Sequence, residues 1–92
     1  MYAEHVERAL LDNWHAKDIS VDQRMLGARG EVTVLFRIRK SGRVADLVLT
    51  RSSGDAHIDH LALQAVPKRF ARFPSDLRER FLIFEWTFHY RN

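Results

Sequence analysis

From residue 31 onward the chain alternates. Val32, Val34, Phe36 and Ile38 fall at every second position, with Thr33, Leu35 and Arg37 between them, the period of a strand that turns one face to a core. Lys40-Ser41-Gly42-Arg43 then reverses the chain. Glycine takes positive φ at no steric cost, and a two-residue loop is the shortest link between antiparallel strands. The return strand runs from Val44 to Ser52, pairing about 31–39 with 43–51. Val44 is out of phase with Leu47 and Leu49, so a bulge near Ala45-Asp46 is needed to restore the register.

Helical spacing brackets this hairpin. Tyr2, Val6, Ala9, Leu10 and Trp14 stand near i, i+3, i+4 intervals over residues 2 to about 16, one apolar stripe of an amphipathic helix. Between Ala16 and Arg29 the pattern dissolves into polar and small residues with isolated Ile19, Val21, Met25 and Leu26, which reads as a loop with one turn of helix. After the Ser52-Ser53-Gly54 corner, Asp55 is placed to cap a second helix, with Asp59 adding charge to its positive end. Ile58, Leu61, Ala62, Ala65 and Val66 form its buried stripe, and Pro67 ends or kinks it, having no N–H to donate. A basic connection carrying Phe70, Phe73 and Pro74 leads to a last strand over about 81–90. That strand sets Leu82, Phe84, Trp86, Phe88 and Tyr90 on one face and Ile83, Glu85, Thr87 and His89 on the other.

The order α-β-β-α-β predicts a two-layer α+β domain with both helices on one face of a three-stranded antiparallel or mixed sheet. A third strand laid beside the first, parallel to the second, gives the order 2-1-3. Strand three is then an edge, with a row of unpaired N–H and C=O groups that an extended peptide can satisfy.

The residues carry a family pattern. Gly30-x-Val32-x-Val34-x-Phe36-x-Ile38, Ser41-Gly42-x-Val44, Ser52-Ser53-Gly54, Ile58-Asp59, Leu61, Ala62 and Ala65-Val66 follow one another in an order and spacing that resembles the C-terminal domain of the TonB energy-transducer family. Tyr2, Val6, Leu10 and Trp14 are similar to the family's opening helix, and Phe73-Pro74 with Leu82 to Tyr90 to its last connection and strand. The resemblance implies capture of the TonB box of outer-membrane receptors on the last strand. Leu82, Ile83, Phe84, Glu85, Trp86, Thr87, Phe88 and His89 are the expected contact residues. It further implies a periplasmic place, coupling of inner-membrane proton-motive force to uptake of siderophore-type nutrients, and an ExbB/ExbD-type motor reached through an N-terminal membrane helix and Pro-rich linker. The chain therefore reads as one domain, residues 1–92, excised from an anchored protein. A TolA-like envelope-integrity domain is the alternative on a similar architecture. The family's Tyr-Pro motif has no counterpart between Trp14 and Gly30, which would leave secondary contacts to Gln23, Arg24 and Arg29.

Composition narrows the remaining choices. Ninety-two residues, 46% of them hydrophobic, suit one core, and there is no apolar run of the length that spans a membrane. Absence of cysteine excludes disulfides and thiol chemistry. No cofactor is implied. His57 and His60, with Asp59 between them, could offer two imidazoles to a metal, but lacking a third ligand they read as a solvated helix start. Ser52 and Ser53 sit in no nucleophile elbow, so the chain reads as no enzyme.

The net charge is +3, and twelve of the fifteen basic residues are arginine. Arg37, Arg39, Lys40 and Arg43 cluster at the hairpin tip, and Lys68, Arg69, Arg72, Arg78 and Arg80 on the second connection. They read as solvated surface charge. Nucleic-acid binding is the contrasting reading, and the order of elements fits neither βαββαβ nor αβββα, so no nucleic acid is expected as a partner. Exposed edges predict homodimers or swapped forms.

Overall fold

In the computed structural model, which describes residues 1–15 and 29–91, the alternation becomes a three-stranded sheet and the helical stripes become its cover. The elements are α1 (Tyr2–His15), β1 (Arg29–Arg39), β2 (Val44–Arg51), α2 (Ala56–Ala65) and β3 (Phe81–Arg91). Sheet order is β2-β1-β3, with β1 antiparallel to both neighbours. This is the expected α+β architecture. The reading of 16–28 as a loop lies outside the described residues.

The core forms where the two periodicities meet. Val32, Val34, Phe36 and Ile38 are buried on the central strand, each burial stabilising by roughly 1.5–3 kcal/mol before denatured-state compactness is discounted. Val6 and Leu10 from α1 and Ile58, Leu61, Ala62 and Ala65 from α2 close over them. Phe70 and Phe73 of the basic connection join the same core, and Phe70 stacks on Phe36 at 6.0 Å between ring centroids.

Two local features follow the sequence and one departs from it. Asp55 caps α2, its Oδ1 accepting from the N–H groups of His57 (2.8 Å) and Ile58 (3.2 Å), and α2 stops at Ala65 with Val66 as its C-cap, one residue before Pro67. The expected bulge is present. Leu35 pairs with Val48 but Arg37 with Ala45, and Asp46 takes φ +56° to accommodate the extra residue; a further irregularity lies between Thr33 and Val34.

The hairpin loop is longer than a two-residue turn. Arg39 N–H donates to Arg43 carbonyl (2.9 Å) and Gly42 N–H to Arg39 carbonyl (2.7 Å), which makes Lys40, Ser41 and Gly42 a three-residue loop with glycine at positive φ. The added residue brings Gly42 under the second connection. Phe70 N–H donates to Gly42 carbonyl at 2.8 Å.

Candidate functional site

Edge geometry decides what a sheet can recruit, and here it can be counted residue by residue. Lys40 N–H donates to Arg80 carbonyl at 3.0 Å, and the β1–β3 register then runs unbroken from Arg39↔Phe81 to Arg29↔Arg91. Bonded and non-bonded pairs alternate along an antiparallel ladder. Stepping in twos from Lys40/Arg80 makes Ile38/Leu82, Phe36/Phe84, Val34/Trp86 and Val32/Phe88 the bonded pairs. Leu82, Phe84, Trp86 and Phe88 thus aim their main-chain groups at β1. Ile83, Glu85, Thr87 and His89 aim theirs outward.

A side chain far away in sequence meets one of these outward groups. Trp14 Nε1–H donates to the carbonyl of His89 at 3.0 Å, which requires that carbonyl to face away from β1. The same indole stacks on Phe88 with centroids 4.7 Å apart. The last turn of α1 is thereby fastened to one end of the outer edge, and among the described residues no main-chain hydrogen bond from outside the β1–β3 ladder reaches the row from Ile83 to Thr87.

Side chains of the strand divide as the alternation predicts, with a difference in depth. Phe88 is buried, while Leu82, Phe84 and Trp86 are half-buried on the helix-covered face. An edge strand has a neighbour on one side only, so its inward aromatics keep one flank open. Trp86 Nε1 is enclosed without a hydrogen-bond partner among the described residues. On the opposite face, Ile83 is 59% exposed and Phe81 43%, and the Arg37 guanidinium lies 4.4 Å over the Phe81 ring. Thr87 is tied to β1 by a hydroxyl–hydroxyl hydrogen bond to Thr33 at 2.9 Å, as suits a close, non-bonded pair. Where β3 begins, Tyr2, Pro74, Leu77 and Leu82 line a half-open apolar recess of about 340 Å³.

The other edge is blunted. Val44 N–H, near the start of β2, donates to Lys68 carbonyl at 3.0 Å, and Arg43 forms an isolated antiparallel bridge with Arg69. Further along, the Asp46 bulge breaks the pairing row, and Asp46 is salt-bridged to Arg37 at 3.6 Å. Bulges, charges and covering segments are the devices by which edges are closed to added strands. The β3 edge has an 11-residue strand in unbroken register.

Arg29 opens β1 opposite Arg91; Gln23 and Arg24 lie outside the described residues. His57 and His60 are exposed on α2, and among the described residues there is no group of three or more His, Asp or Glu that could hold a metal. Ser52 and Ser53 serve the corner, donating to Asp59, with Ser53 N–H at 2.7 Å and Ser53 Oγ at 2.7 Å. Burial pushes the Asp59 carboxyl up, but these hydrogen bonds outweigh it and hold the group below its ordinary value. Sequence reading missed Trp14 as an edge residue, because an indole on an apolar helix stripe looks the same whether it fills a core or reaches a strand 75 residues away.

Known proteins agree with this architecture. Residues 20–91 match the family described as Gram-negative bacterial TonB protein C-terminal. Among solved structures, the solution structure of the TonB C-terminal domain of Helicobacter pylori (its residues 179–285) superimposes with a TM-score of 0.73 at 22% identity, covering 99% of this chain and 80% of that one. A search among curated proteins finds no match. A three-stranded sheet of order β2-β1-β3 covered by two helices defines a two-layer α+β class of domain. The chain belongs to the TonB C-terminal family, a family of energy-transducer domains and not of enzymes.

Proposed function

We propose that this domain captures an extended segment of an outer-membrane receptor, the TonB box, as a fourth strand on β3. By this capture it couples the inner-membrane proton-motive force, relayed by an ExbB/ExbD-type motor, to uptake of siderophore-type nutrients. The observation that carries the reading is the outward aim of the main-chain groups of Ile83, Glu85 and Thr87 on an edge without a bulge. Main-chain hydrogen bonds to that row supply affinity, and alternate side chains supply selectivity. Those on one face of the incoming strand meet Phe81 and Ile83; those on the other meet the half-buried Leu82, Phe84 and Trp86. Arg29, and Gln23 and Arg24 before it, are the proposed secondary contacts. The same edge gives a second copy of the chain a place to pair, so homodimers compete with receptor for it.

The test is an amide chemical-shift titration with peptides from the N-terminal plugs of the source organism's outer-membrane receptors. Strand addition moves the amides of Ile83, Glu85 and Thr87 more than those of Phe84 and Trp86, whose N–H groups stay bonded to β1. Shifts without that odd–even pattern, or confined to the hairpin, sink the reading.

A further inference from the structure

The fold joins two basic clusters that the sequence keeps apart. The hairpin tip and the second connection are stitched together by Val44 N–H to Lys68 carbonyl (3.0 Å), Phe70 N–H to Gly42 carbonyl (2.8 Å), Phe73 N–H to Lys40 carbonyl (3.0 Å) and Lys40 N–H to Arg80 carbonyl (3.0 Å). Segments 39–43 and 68–80 therefore form one end of the sheet. They hold eight cations, Arg39, Lys40, Arg43, Lys68, Arg69, Arg72, Arg78 and Arg80, against the two carboxylates Asp76 and Glu79. That is a net +6 at one pole. The rest of the chain, whose total is +3, carries −3.

All eight cations are exposed, and none is in an ion pair among the described residues; the ion pair nearby uses Arg37 and Asp46. The pole even places like charges directly opposite one another. Arg43 and Arg69 are bridge partners, and Lys40 faces Arg80 across the β1–β3 ladder. Like charges set opposite on paired strands destabilise a fold, so this arrangement is unfavourable in isolation and is relieved by an anionic surface laid against it.

We propose that this pole docks on a bilayer containing anionic phospholipid. Compact clusters of roughly four to eight arginines and lysines are attracted to anionic headgroups, with a strength that falls off over a Debye length. Single-stranded nucleic acid, the competing polyanion, is held by cations together with exposed aromatic faces on which bases stack. Here Phe70 and Phe73 of the pole are buried in the core, and Arg37 occupies a face of the Phe81 ring. The contact uses residues other than the outward groups of Ile83 to Thr87, so it stands independently of strand addition.

Co-sedimentation of the 92-residue chain with phosphatidylcholine vesicles, with and without phosphatidylglycerol, tests the proposal. The expected result is binding to the phosphatidylglycerol vesicles at low salt, none to phosphatidylcholine alone, and loss of binding in high salt. The double variant R43Q/R69Q should bind at least about tenfold more weakly, while its melting temperature stays level or rises because a repulsion has been removed. Failure of the parent chain to bind anionic vesicles at low salt overturns the proposal, as does equal binding by R43Q/R69Q. Tighter binding of a mixed-sequence oligonucleotide than of vesicles at equal phosphate concentration overturns it too, and would give the pole to nucleic acid.

Discussion

The indole N–H of Trp14 donates to the main-chain carbonyl of His89 across 75 residues of sequence, at 3.0 Å. One residue of α1 thus closes one end of the β3 edge while its ring rests on Phe88. Trp14→Ala should cost about 2–3 kcal/mol in urea unfolding, less than the roughly 3–5 typical of a fully buried tryptophan, since this one is half-exposed. Trp14→Phe keeps a ring on Phe88 and should cost only about 1 kcal/mol, the net worth of an ordinary hydrogen bond. It also releases the His89 carbonyl, so a bound peptide should perturb amides further along β3 than in the parent chain. An unchanged perturbation boundary would separate Trp14 from the edge function.

Asp59 makes stability depend on acid. Hydrogen bonds from Ser52 and Ser53 hold its carboxyl below the ordinary value of 3.8, against the upward push of burial. A carboxylate held lower in the folded chain contributes stability that is present above the unfolded value and is lost as pH falls through the folded one. The melting temperature should therefore drop as pH passes down through and below the ordinary aspartate range. Asp59→Asn should be less stable at neutral pH, with that part of the slope missing. Parallel pH curves for the two proteins would remove Asp59 from the acid response.

What the sequence disclosed was local, and what it concealed was assembled from distant parts. The phase slip between Val44 and Leu47 disclosed the bulge at Asp46, and Asp55 at the end of a serine-glycine corner disclosed the helix cap, because each depends on neighbours a few positions away. The hairpin loop was shorter in expectation than in fact, since its third residue is fixed by the approach of Phe70 to Gly42 and not by the turn itself. Likewise Ala71 gives no sequence sign of its role. Its carbonyl accepts from the Tyr2 hydroxyl (2.7 Å) and its N–H donates to His5 Nε2 (3.1 Å), so two side chains of α1 hold one residue of the connection. The location of the candidate edge was legible from element order, whereas the outward aim of Thr87 and the closure at His89 required the register.

Gly42 and Gly54 both take positive φ, +93° and +89°, yet they should respond differently to alanine. A methyl at Gly42 would lie 2.2 Å from Phe70 carbonyl oxygen and 2.9 Å from that of Ala71. Main chain would have to move, and the Phe70–Gly42 hydrogen bond with it. Gly42→Ala should cost about 3 kcal/mol or more from left-handed strain plus the disturbed bond. At Gly54 nothing lies within 4 Å of the added carbon, which leaves strain of about 1–2 kcal/mol alone. Equal losses in chemical denaturation would mean that the seam between hairpin tip and connection is loose in solution.

Ile83 separates stability from recognition. It stands 59% exposed on the helix-free face of β3, its main-chain groups turned outward by the register with Arg37. In the monomer, Ile83→Lys removes little buried surface, so stability should change by no more than about 0.5 kcal/mol. A strand laid against the edge, whether receptor segment or second copy, packs a side chain beside residue 83, and a lysine there removes apolar contact and adds a charge to be desolvated. Charged side chains on edges are a common means of discouraging strand pairing. Peptide affinity and any concentration-dependent association in sedimentation velocity should therefore both fall, with urea midpoints unchanged. Loss of stability in step with affinity would mean that Ile83 packs within the monomer. Retention of both affinity and association would place the recruiting surface elsewhere than the outer row of β3.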